Sequence, residues 1–309
     1  MQRERTMARL IGIGRTAALV AAAGLALSAC GGDSGSDTTS SPTPSGVPSV
    51  TADETLAAQV PEAIKQSGTL TFGTDASYAP SEFLADDGTT IVGFDVDLGK
   101  AIAAKLGLQG QFENSTFDSL IVGVQNGKFP ASMSSFTITP EREEQVNMIS
   151  YFSAGTSWAV ETGNPSGISV EDPCGKTVAV QKATVQVDDI EAKNDDCKSA
   201  GKPEINIQQY GLQSEATTAV VSGKADAMLA DSPVVAYAIE QSGKLEQLGE
   251  VYDSAPYGIV VPKEETEFAT AIQGAVDALI ADGTYMAILD EWGVGNGAVP
   301  AAEVNPSSS

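Results

Sequence analysis

Along residues 69–290, short runs of apolar and β-branched positions alternate with longer stretches whose apolar residues recur at helical spacing. "TLTFGTD" (69–75) has the length and composition of a strand. "VDLGKAIAAKLG" (96–107) sets Leu98, Ala101, Ile102 and Leu106 on one helical face, with Gly107 as its stop. "FDSLIVGVQNG" (117–127) predicts another helix, with Asp118 as N-cap and Gly127 at its end. Further strands are expected near 176–181, 205–210, 226–231 and 257–262, and helices near 184–194, 212–222, 233–242 and 266–290. This alternation predicts α/β architecture with mostly parallel sheets, which bind ligands where strand ends turn into helices.

"SSFTITPERE" (134–143) occupies such a place, with Thr139 as N-cap, Pro140 at the first helical position and Glu141 behind it. Arg142 then falls in the first turn, where a cation opposes the helix dipole at a cost of about 0.3–1 kcal/mol unless an anion compensates. A carboxylate bound there would meet the guanidinium, hydroxyls of Ser134, Ser135, Thr137 and Thr139, and the helix N–H groups. A surface arginine paired with Glu141, Glu143 or Glu144 accounts for the same stretch equally well.

Composition narrows the chemistry. With 309 residues, 42% of them hydrophobic, the chain can bury a large core and form more than one lobe. The 17 Lys and Arg against 41 Asp and Glu exclude a general nucleic-acid surface. The chain has no histidine, which excludes a Ser-His-Asp triad, a Cys-His pair and the commonest metal ligand, so no metal or cofactor is expected.

The N-terminal segment carries Arg3, Arg5, Arg9 and Arg15, then "TAALVAAAGLALSA", too short for a permanent span and suited to a signal-peptide core. It ends in "LSAC", which resembles a lipobox, so residues 1–29 are expected to be a signal peptide and Cys30 the lipidated first residue. Residues 30–55, rich in Gly, Ser, Thr and Pro, read as a tether reaching ~25 Å by coil scaling. In an exported chain the remaining pair, Cys174 and Cys197, suggests one disulfide, since two thiols without histidine make a poor zinc site.

"GTLTFGTDASYAPSEF", "IVGFDVDLGKAIAAKLG", "SSFTITPERE", "GKTVAV", "SGKADAMLAD" and "ADGTYMAILDEWG" follow the order and spacing of solute-binding protein family 3, over about residues 60–295. The resemblance implies a periplasmic-binding-protein-like type II fold: two α/β lobes, 56–158 plus 258–309 and 159–257, joined by two crossover strands with a ligand cleft between them. Crossovers are expected near "SWAVE" and "SAPYGIV", and the disulfide within the second lobe.

The same resemblance makes Arg142 the clamp for an amino acid's α-carboxylate, with Ser135 and Thr137 as hydrogen-bonding neighbours and Thr184 as a donor from the second lobe. Asp231 resembles the carboxylate that receives the α-ammonium; from the residues alone it is equally a helix N-cap before "SPVVAYAIE". Tyr78 and Phe117 match cleft walls, although an isolated aromatic is ordinarily core. Asp75 matches a carboxylate that meets a donor-bearing ligand side chain, which weakly favours a polar or cationic amino acid; it is also a plain turn residue. Asp95 and Asp97 are assigned to helix capping and first-turn charge.

Three departures from the family pattern stand at Ser81, Pro130 and Ala183, the last where glycine ordinarily precedes Thr184. The resemblance implies a lipid-anchored, extracytoplasmic, monomeric receptor on the bacterial membrane that hands an amino acid to an ABC transporter permease and is not an enzyme. An exported dehydratase of a cyclohexadienyl acid and a sensory ligand-binding domain are the alternatives.

Overall fold

The structure is a computed structural model and describes residues 49–308. The expected signal segment, Cys30 and most of the tether lie outside these residues. Two short helices, α1 (Glu54–Ala58) and α2 (Glu62–Ser67), lead into β1 (Thr69–Thr74). A small antiparallel meander follows, of β2 (Ser77–Tyr78), β3 (Glu82–Leu84) and β4 (Ile91–Val92). Next come α3 (Phe94–Lys105), β5 (Gln109–Asn114), α4 (Phe117–Gln125), β6 (Ala131–Thr137) and α5 (Pro140–Gln145). The long strand β7 (Val146–Glu161) carries the chain onward to β8 (Thr177–Gln181), α6 (Val185–Ser199), β9 (Asn206–Tyr210) and α7 (Gln213–Val221). Then β10 (Ala227–Asp231), α8 (Ser232–Ser242) and the long return strand β11 (Leu245–Pro262) precede α9 (Thr266–Ala281) and α10 (Thr284–Glu291).

Eight strands form one mixed sheet in the order β5-β1-β6-β11-β7-β10-β8-β9. The outer triplets β5-β1-β6 and β10-β8-β9 are parallel within themselves, while β7 and β11 pair antiparallel with each other and with each triplet's inner strand. Near residues 257–262, β11 lies between β6 and β7; from Thr156 onward, β7 lies between β11 and β10. The change of partner falls where the β7–β11 register shifts, between Leu248 and Ala255. Gly155 is needed there: a Cβ would come within 2.6 Å of the Tyr252 carbonyl oxygen.

Alternating side chains feed two cores in each half of the sheet, as a strand period of two requires. In the first half, Ile259 and Val261 join α3, α9 and α10 on one face, and Val260 joins α4 on the other. In the second, Met228 and Ala230 pack with α7 and α8, while Ala227 and Leu229 pack with α6. Tyr78, from the meander of the first half, is buried in the α7/α8 core of the second.

Cys174 and Cys197 form a disulfide that ties the loop before β8 to α6, closing a sequence separation of 23. The ordered body begins ahead of residue 56: Val50 packs on the first core and Asp53 caps α1 with its side chain. The stretch 266–290 is two helices, broken at Asp282 and Gly283, the glycine taking φ +82°. Thr116, not Asp118, is the N-cap residue of α4, and it hydrogen-bonds Asp118 through its hydroxyl. Among the described residues no helix is long and apolar enough to cross a membrane.

Candidate functional site

Four parallel strands, β1, β6, β8 and β10, end around one cleft. Asp75, Tyr78, Phe117, Ser135, Thr137, Arg142, Thr184 and Asp231 all line it. The structure therefore brings together every ligand-contact residue expected from the sequence, from both halves of the sheet. Ser134, Gln181, Val185 and Gln186 complete the lining. Gln181 is the last residue of β8, where the position rule for parallel sheets points, whereas Ser134 lies within β6 and Gln186 reaches the cleft only because α6 is aimed there.

Thr139 caps α5 as expected, accepting the Arg142 N–H on its hydroxyl, with Pro140 in the first turn. The Arg142 side chain turns back from the helix surface: Nη1 donates to the Thr137 carbonyl at 2.7 Å and Nη2 to the Ala183 carbonyl at 3.0 Å. Its guanidinium lies 5.7 Å from the Phe117 ring centroid, and Phe117 stacks on Phe136. The alternative of a surface pair with a neighbouring glutamate does not hold, and Glu143 is itself buried, accepting the Ser307 N–H. Burial pulls Arg142 below the usual arginine range, opposed chiefly by the Asp231 charge.

Asp231 occupies the N-cap position of α8 but makes no side-chain cap bond. Its carboxylate faces the cleft, accepting Tyr78 Oη at 2.8 Å and Gln186 Nε2 at 2.8 Å. Asp75 Oδ2 accepts the Phe117 N–H and Gln181 Nε2, while Oδ1 is buried with no hydrogen-bond partner. Desolvation raises both carboxyls above the usual range, only partly offset by hydrogen-bonding groups, foremost Ser77 for Asp75 and Tyr257 for Asp231. Thr184 spends its hydroxyl on the Gln181 carbonyl at 2.8 Å.

Four hydrogen bonds of the lining cross between the halves: Tyr78 Oη to the Asp231 carboxylate, the Asp231 N–H to Tyr78 Oη, Gln181 to Asp75, and Arg142 to Ala183. A fifth, from Gln213 N–H to Ser77 Oγ, lies at the rim. The enclosed interior is about 10 Å³, room for roughly one water.

A sequence profile of the bacterial extracellular solute-binding proteins, family 3, matches residues 70–295. The chain belongs to this family. It is 38% identical over 252 residues to the arginine-binding protein ArgT of Corynebacterium glutamicum, covering 81% of this chain and 82% of that protein. It is 30% identical over 229 residues to an L-arginine-binding protein of Pseudomonas aeruginosa, covering 71% and 86%. Among solved structures, an ancestral arginine-binding protein bound to arginine superposes with a TM-score of 0.68 at 36% identity, over 73% of this chain and 98% of that one.

Two of the three departures from the family pattern, Ala183 and Ser81, differ in how they bear on the cleft. Ala183 adopts the left-handed conformation usual for glycine, φ +61°, so its carbonyl still meets Arg142. Ser135 does the same at φ +50°. Ser81 is fully buried and does not line the cleft. Asp95 and Asp97 stand in the first turn of α3 as expected, but their capping role requires a correction. The N-cap residue of α3 is Gly93, and Asp95 is fully buried, receiving the Tyr151 hydroxyl and the Ser135 N–H; Asp97 receives the Trp292 indole N–H.

Proposed function

We propose that this protein is an extracytoplasmic receptor that captures an amino acid with a cationic side chain, arginine first, and delivers it to the permease of an ABC importer. The charge layout of the cleft carries this reading: one guanidinium, Arg142, and two carboxylates, Asp75 and Asp231. An α-carboxylate complements Arg142 and an α-ammonium complements Asp231, which leaves Asp75, with an unpaired buried oxygen, for a second cation on the ligand. The relatives named as arginine-binding support the same choice.

The two halves of the sheet are taken as lobes 56–158 plus 258–309 and 159–257, with opening about the β7–β11 irregularity. An interior that holds about one water obliges the lobes to part before a ligand enters. A ligand joining Arg142 to Asp231 then favours the closed arrangement, because only there are both of its charged ends satisfied. Cys30 serves as the lipid anchor of a monomer, and the protein is not an enzyme.

Calorimetric titration of the protein, stripped of ligand by partial unfolding, tests the reading against L-arginine, L-lysine, L-ornithine, L-glutamine and prephenate. Tight binding of the cationic amino acids, recovered chemically unchanged, is expected; preference for neutral amino acids sinks the Asp75 assignment, and conversion of prephenate moves the protein to the dehydratases. Cys30→Ala is expected to shift the protein from the membrane to the soluble fraction with the same ligand affinity; retention at the membrane removes the anchor.

A further inference from the structure

Directly behind the cleft, Glu82 of β3 and Asp95 of α3 are both fully buried, and neither forms an ion pair among the described residues. Glu82 Oε1 accepts the Ser134 hydroxyl at 2.9 Å. Asp95 Oδ2 accepts the Tyr151 hydroxyl at 2.7 Å and the Ser135 N–H at 3.1 Å. That leaves one oxygen on each, Glu82 Oε2 and Asp95 Oδ1, buried and without a donor. The Asp95 N–H donates to the carbonyl of Ser81, the residue before Glu82, and the two carboxyls are bonded to the adjacent residues Ser134 and Ser135, which sets them side by side.

Two dry carboxylates cannot both stay ionised at contact, whereas a single proton between the two orphan oxygens satisfies both. We infer that Glu82 and Asp95 share one proton, and that this acid pair is the positioning device of the cleft, acting on the ligand through Ser134 and Ser135. The route is short. Ser134 Oγ donates to Glu82 and accepts the Asp75 N–H at 3.0 Å, so the pair sets the turn that carries the side-chain carboxylate of the site. Asp95 accepts the N–H of Ser135, which holds that residue in a left-handed conformation an L side chain ordinarily avoids.

The titratable groups facing the pair are Asp75 after β1, Tyr78 of β2 and Tyr151 of β7. Burial, and then the Asp95 charge, push Glu82 well above the usual carboxyl range, and burial raises Asp95 as well. The pair thus keeps a proton where exposed carboxyls have lost theirs, and gives it up only on alkalinisation, when two negative charges confront each other behind Ser134 and Ser135.

This inference deepens the amino-acid-receptor reading, and its first two measurements need no ligand. Infrared spectra of the full chain at about pH 6 are expected to contain a protonated-carboxyl carbonyl band that disappears in Glu82→Gln and that fades in wild type as pH rises. Amide resonances of Ser135 and Asp75 are expected to shift with the same midpoint in wild type and to stay still in Glu82→Gln. Calorimetry with L-arginine is expected to show binding weakened about tenfold or more in Glu82→Ala, recovered in Glu82→Gln, with the alkaline loss of affinity smaller in the amide variant than in wild type.

A band unchanged by Glu82→Gln, or amides that ignore the titration, overturns the inference even if L-arginine binds tightly. Equal affinities in Glu82→Ala and wild type overturn the positioning role. Where Glu82→Ala fails to fold, Asp95→Asn and the wild-type titration decide in the same way. Failure of wild type to bind L-arginine while the band and the amides titrate strikes the proposed ligand and leaves the shared proton standing.

Discussion

Arg142 is the sole arginine after residue 15 in a chain of net charge −24, and it stands in the cleft. Its fork offers five N–H donors; two bonds, to the carbonyls of Thr137 and Ala183, aim it without neutralising it. Arg142→Ala is expected to cost ~2–5 kcal/mol of L-arginine binding, since a desolvated carboxylate loses its partner; calorimetry on a variant with unchanged melting behaviour measures this. That Arg142 was conspicuous in the sequence follows from local chemistry: a cation in a helix's first turn calls for an anion. Asp231 was ambiguous because N-cap position and cleft position coincide, and only its side-chain direction separates them. Asp95 stands in the first turn as expected, but its capping role does not hold. An acidic residue in a first turn looks solvated until Tyr151 and the Ser135 backbone, distant in sequence, are laid against it.

At the scale of elements, those with a strong local signature were legible: the Thr139–Pro140 start of α5, the glycine-stopped α3 and α4, and the alternation from β8 to α8. The long strands β7 and β11 were expected only in part. Their interiors carry Gly155 and the stretch "GEVYDS", which interrupt apolar periodicity because the sheet changes partner there. The Cys174–Cys197 bridge lies within one half of the sheet. Reduction is therefore expected to lower stability by about 3 kcal/mol, from the entropy of the reopened loop, while leaving L-arginine affinity nearly unchanged; chemical denaturation and titration of the reduced protein check both halves of this expectation.

For the whole molecule, the proposed closure on a ligand is expected to be coupled to ionisation. Asp75 and Asp231 have raised pKa values because burial penalises their charged forms, so protons compete with a cationic ligand for the same oxygens. Affinity for L-arginine is expected to rise as pH climbs out of the usual carboxyl range. The ligand-free fold follows the opposite sign. Groups that hold protons more tightly when folded, Glu82 and Asp95 among them, contribute stability that is complete below their unfolded pKa and declines as pH rises through the raised folded one. Thermal melts with and without saturating L-arginine are expected to diverge as pH increases from about 4 to 7; a constant gap removes the protons from the binding equilibrium.

By itself the sequence determined the alternation of strands and helices, the candidate clamp, the cysteine pair and the family. Each of these is a matter of residue type at a given spacing, and backbone preference and burial act over a few residues at a time. The tertiary structure alone decided which oxygens are orphaned, that Gln181 and Gln186 enter the cleft, and that Glu82 and Asp95 are both buried against the adjacent residues Ser134 and Ser135. Hydrogen-bond satisfaction in a dry interior depends on atoms brought together from distant segments, and no local pattern records which segments those will be.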